Sequence, residues 1–197
     1  RGINEDARGR RVFDAIAPHV AGGGRVTLNY RFAQPGRYPR EHMDHLYPSD
    51  QFPFAYRVTT DALTGKTDGV LKRAGTDPLV FHTQSSSEYW ERRGSLVHTD
   101  SHGNDLEDPP GARVYLFSGS QHMSDPLNGP QEGSYRHLSN PNKAGPPLRA
   151  LLDALDAWAT NGTPPPDSRV PSLDAESWGD HRPFGRDQPH DRERQRG

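Results

Sequence analysis

Two short loops of this sequence carry the residue types that proton-transfer chemistry needs. Gln84-Ser85-Ser86-Ser87-Glu88-Tyr89-Trp90 follows the apolar run Leu79 to Thr83, and Ser118-Gly119-Ser120-Gln121-His122 follows the run Arg113 to Phe117. One loop offers a carboxylate and the other an imidazole. A histidine that takes a proton from a hydroxyl needs a carboxylate on its other ring nitrogen, to fix the tautomer and to stabilise the imidazolium that forms. Glu88 and His122 are therefore the candidate acid and base. Asp100 and Asp125 are rival acids. Two plainer readings stand beside this one: Glu88 as the cap of the helix it opens, and His122 as a satisfied buried histidine.

These loops qualify only if the runs before them are strands. Each run is short, continuous and apolar, and each is bounded by turn residues: Pro78 before one, Pro109-Pro110-Gly111 before the other. That pattern predicts strands covered on both faces. Side chains just beyond the carboxyl ends of such strands line the usual site of an open α/β sheet. Between them, the spacing of Tyr89, Trp90, Arg93, Leu96 and Val97 predicts a helix over 88–97, and 98–111 reads as loop. Leu148, Leu151, Leu152, Leu155, Trp158 and Ala159 recur at helical spacing. Pro146-Pro147 can open that helix and Gly162 can close it. The start, where Asn4 can cap a turn begun by Glu5 and Asp6, reads as a helix end leading into a short strand before Gly22-Gly23-Gly24. The order strand, excursion, strand, helix, strand, helix is that of an α/β sheet.

Other segments are less telling. Residues 23–76 mix Tyr and Phe with Pro35, Pro39, Pro48 and Pro53 in no regular period, and read as a packed, lid-like insertion. Thr64-Gly65-Lys66-Thr67-Asp68-Gly69 is turn chemistry, without the glycines that a phosphate loop needs ahead of its lysine. His42-Met43-Asp44-His45 and the group His98, Asp100, His102, Asp105 contain metal-type ligands in loop settings that suit plain surface better. No metal or cofactor is expected.

Composition narrows the classes further. Acids outnumber bases 26 to 24, giving a formal charge of −2 and a pI near 6.6, so no basic footprint for nucleic acid is present. The longest apolar run is Val114 to Phe117, far short of the roughly 20 residues of a membrane helix. With no signal peptide in view, a cytoplasmic setting is the default expectation. Leu, Ile, Val and Phe make up 33 residues and mean hydropathy is −0.98. Such a low aliphatic share with near-zero charge suggests a hydrophobic half-sheet diluted by a polar excursion and by a disordered polar tail over 173–197.

The stretches Gly9 to Asp14, Phe32 to Pro35, Phe81 to Trp90, Leu96 to Asp100, Gly119 to His122 and Asn161 to Pro166 resemble bacterial "alpha/beta hydrolase domain" proteins, from about residue 2 to 171. The resemblance implies an α/β-hydrolase fold, a serine hydrolase acting on a small ester or lactone, and Glu88 and His122 as triad acid and histidine. The order serine, acid, histidine along the chain is that of such triads. Family members carry a Gly-x-Ser-x-Gly nucleophile elbow. This sequence contains none, and Phe117-Ser118-Gly119-Ser120-Gln121 has the wrong spacing. The expectation is therefore a C-terminal part, residues 1–172, of an α/β-hydrolase sheet, with its nucleophile upstream of residue 1. Such a part is expected to fold poorly alone, with one sheet edge and one apolar face uncovered. A fragment or binding module without activity of its own is the alternative.

Overall fold

The computed structural model of the chain describes residues 4–24, 52–122, 140 and 142–172. Along it run β1 (Ala15–Ile16), β2 (Thr59–Thr60), β3 (Thr67–Asp68), β4 (Leu79–Ser85), α1 (Ser86–Glu91), a 3₁₀ turn (Gly94–Val97), β5 (Ala112–Phe117) and α2 (Gly145–Asn161). A parallel sheet in the order β1-β4-β5 sits at the centre, and β2 and β3 form a separate antiparallel hairpin. Helices and a parallel sheet make this the expected α/β class.

β4 is the axis of the sheet. Its register against β5 runs from Val80↔Ala112 to Ser85↔Phe117, so both strands end level. β1 pairs with its other edge at Ala15↔Leu79 and Ile16↔Val80, and a parallel bridge His19↔Thr83 continues that alignment to the same end. Three chain segments therefore finish side by side. The outer edge of β5 is also occupied: Leu116 N–H donates to Arg169 O at 2.8 Å and Arg169 N–H to Val114 O at 2.9 Å.

Alternation along β4 builds a core on each face. Phe81 packs with Tyr115, Leu155 and Trp158 beneath α2, while Val80 joins Ala112, Val114, Val97 and Tyr56 beneath the hairpin and the 3₁₀ turn. Burying both faces is why the two strands read as continuous apolar runs. α2 follows its leucine spacing, with proline in its first turn and Gly162 at φ 68° closing it by a hydrogen bond from its N–H to Trp158 O, 3.1 Å.

Local polar chemistry overrides two sequence expectations and refines a third. Residues 4–14 form no helix. The Asp6 carboxylate takes the backbone N–H groups of Arg8 and Arg10, and Asn4 bonds Phe13 through both N–H and C=O, satisfying in a turn the groups a helix would have used. The helix expected over 88–97 stops at Glu91, because Arg93 takes a left-handed conformation at φ 52° before the 3₁₀ turn begins. The segment read only as a turn at 64–69 lies at the end of the β2–β3 hairpin, whose tip is held by Asp61 accepting from Thr64 N–H and Oγ. Residues 25–51 of the expected insertion and the expected tail at 173–197 lie outside the described residues. Among the described residues, no helix is long and apolar enough to cross a membrane.

Candidate functional site

The level ends of β4 and β5 decide which side chains meet. Ser85 closes β4 and serves as N-cap of α1, whose third residue is Glu88. Ser-x-x-Glu is the capping-box spacing, which turns the glutamate back over the first turn toward the N-cap. Beyond β5 the chain reverses through Gly119, at φ 73°, with Ser120 N–H donating to Phe117 O at 3.2 Å. His122 emerges two residues later.

Here the two candidates come together. His122 Nδ1 hydrogen-bonds Glu88 Oε1, while Ser85 N–H, at 3.0 Å, and Ser85 Oγ–H both donate to Oε2. The plainer reading of Glu88 as a cap holds for one oxygen of the carboxylate, and the other oxygen meets the candidate histidine. Glu88 is 1% exposed, and the side chain of His122 is 51% exposed. Burial alone would raise the Glu88 pKa; hydrogen bonds from Ser85 and His122 outweigh it and hold the carboxyl below its ordinary value. Ionised, it can only accept, so the shared proton belongs to His122 Nδ1. The lone pair of the neutral ring is then on Nε2, pointing away from the carboxylate. An imidazole held this way, with its tautomer fixed, can act as a general base.

The remaining candidates sit elsewhere. Asp100 spends its carboxylate inside its own turn, on the N–H groups of His102 and Asn104 and on the Asn104 side chain. Asp125 lies outside the described residues, as do His42, Asp44 and His45. His98 is buried, stacked on Tyr89 at 5.7 Å with its Nε2 3.1 Å from the phenol oxygen, and Asp105 receives the Ser172 hydroxyl. Among the described residues, no group of three or more histidines and acids is placed to hold a metal ion.

Two features were not foreseen. His19 stands at the third strand end, its Nδ1 2.8 Å from Thr83 Oγ1 and its ring 6.5 Å from that of Phe117. Burial depresses its pKa; the Glu88 charge opposes that effect and His122 reinforces it. The strand-end rule that selects Glu88 and His122 would have selected His19 too, had β1 been read as parallel to β4. The second is the seam beside α1. Gly23 N–H donates to Arg92 O at 2.9 Å. A Cβ on Gly22 would stand 2.8 Å from Arg92 O, and one on Gly23 only 2.5 Å from Arg93 O. Only glycine fits this approach.

A cavity of about 390 Å³ opens between this loop, the hairpin and β4. It is lined by Ala21, Phe54, Tyr56, Val70, His82 and Val97 among others, and neither Glu88 nor His122 contributes to it. This cavity and the Glu88–His122 pair are thus separate places on the described surface.

The family model described as "Alpha/beta hydrolase domain" matches residues 1–189, extending beyond the resemblance visible in the sequence, which ends near residue 171. No curated protein matches the chain, and no solved structure does.

Proposed function

The chain belongs to the alpha/beta hydrolase domain family, and on that premise we propose that it supplies the acid, Glu88, and the histidine, His122, of a serine hydrolase that cleaves an ester or a related acyl bond. A small ester or lactone is the substrate class. The hydrogen bond between His122 Nδ1 and Glu88 Oε1 carries this reading. In the first half-reaction, His122 Nε2 takes the proton of a serine hydroxyl as its oxygen attacks the carbonyl carbon, and returns that proton to the departing alkoxide. Water deacylates the enzyme with the same base. Glu88 keeps its charge throughout and stabilises the imidazolium.

The serine is proposed to lie outside these 197 residues. The absence of a Gly-x-Ser-x-Gly segment supports this, and four hydroxyls of the two loops are already engaged: Ser85 with Glu88, Ser86 with Gly119 N–H, Ser87 with His122 N–H and Ser120 with Phe117 O. A fluorophosphonate probe tests that assignment. No covalent labelling of the 197-residue chain is expected, and labelling would place a nucleophile within it. In a polypeptide that also carries a Gly-x-Ser-x-Gly segment, His122→Ala should lower kcat by a factor on the order of 10³ or more. A near-unchanged kcat would remove His122 from the mechanism.

A further inference from the structure

We propose that the consecutive hydroxyls of Ser85, Ser86 and Ser87 are positioning residues that hold the acid and the histidine in register, each gripping a different part of the pair. The proposal rests on Glu88 and His122 being acid and base. A glutamate side chain has three rotatable bonds and two equivalent oxygens, so a carboxylate at a strand end does not of itself present one chosen oxygen to an imidazole. Ser85 removes that freedom. Its N–H and its hydroxyl both donate to Oε2, leaving Oε1 for the ring.

The histidine is placed by the other two hydroxyls, through its backbone. Ser86 Oγ accepts Gly119 N–H at 2.8 Å, and Ser86 N–H donates to Ser120 O at 3.1 Å, so a bond in each direction ties the first turn of α1 to the reversal after β5. Ser87 Oγ then accepts the N–H of His122 itself, 3.3 Å. These backbone ties set the position from which the half-exposed ring reaches Glu88 Oε1. Helix capping accounts for the Ser85–Glu88 bonds alone. It does not account for Ser86 and Ser87, whose hydroxyls accept from a different strand's loop.

Proton NMR of the full chain separates positioning from mere stability. The Nδ1–H of His122, shared with Glu88, should give a low-field resonance that Glu88→Gln abolishes. In the Ser86→Ala/Ser87→Ala double variant, this proton should exchange with solvent about tenfold faster, the factor that a hydrogen bond of about 1.4 kcal/mol supplies. Ser87→Thr in the Ser86→Ala background, which restores one hydroxyl, should recover part of the protection. An unchanged exchange rate and shift in the double variant would overturn the proposal. Should the double variant not fold, Ser87→Ala alone, which removes one long hydrogen bond, is read by the same criterion. A wild-type chain without the low-field resonance, or one whose resonance survives Glu88→Gln, would instead sink the pairing of Glu88 with His122 on which the proposal stands.

Discussion

Glu88 and His82 lie on one continuous β4–α1 segment, are buried to nearly the same degree, and end in opposite charge states. Glu88, 1% exposed, is held ionised; His82, 3% exposed, is held neutral, its pKa pushed down to about 4 by burial, with the neighbouring His98 and His19 adding to the effect. The difference lies in partners. The carboxylate takes two donors from Ser85 and one from His122, enough to offset desolvation. Among the described residues, the His82 ring has one hydrogen-bond partner, the Tyr56 hydroxyl 2.8 Å from Nδ1, and its Nε2 is buried with none. Burial by itself does not make a reactive group here; a group stays charged only where the fold brings enough hydrogen bonds to it.

Acid titration should break the comparison most visibly. An unfolded histidine takes its proton near pH 6.5, whereas His82 in the fold resists until about 4. Below pH 6.5 the unfolded state thus binds more protons, and stability should fall by about 3 kcal/mol between pH 6.5 and 4 on account of His82. His19 and His98, also depressed by burial, add to the slope. Urea denaturation across that range should show a shallower slope for His82→Asn, and an unchanged slope would contradict the assignment. Glu88, with its pKa below the ordinary value, contributes stability that is present above that value and lost only as pH falls through its folded pKa. Its effect should therefore appear at the acid end of the titration.

A smaller effect is expected from Glu88→Ala. The variant leaves the buried Ser85 N–H without its acceptor, at a cost of about 2 kcal/mol, measurable as a lower urea midpoint at pH 7. Glu88→Gln keeps an acceptor and should recover part of the loss. The smallest is Tyr56→Phe, which removes the one hydrogen-bond partner His82 has among the described residues and should cost about 1 kcal/mol. Equal losses from Tyr56→Phe and Glu88→Ala would show that the two sites are not distinguished by partner number.

What could be read from the chain divides along the same line. The strands before Glu88 and His122 were legible because both their faces are covered, which leaves an unbroken apolar run in each, and Leu148 to Ala159 showed α2 because one face carries it. Strand ends then pointed to Glu88 and His122 as candidates by position, with Asp100 and Asp125 still open as rival acids. The Tyr56–His82 pair was not legible, since it joins β4 to a residue 26 positions away, just ahead of a hairpin whose strands are two polar residues long. Residues 4–14 misled because helix-start residues such as Asn4 and Asp6 also close turns. The three serines after β4 looked like a polar loop. Their separate partners depend on the turn at Gly119, which only the paired strands bring into reach.

The seam between Gly22-Gly23 and Arg92-Arg93 has an uneven tolerance to substitution. The contacts that matter on the arginine side come largely from carbonyl oxygens, which almost any residue would present. On the glycine side even a methyl group meets backbone. A saturation scan would therefore record the two inconspicuous glycines as intolerant. The glycines would score as important without touching Glu88 or His122, because they fix the far end of the short helix from which Glu88 projects.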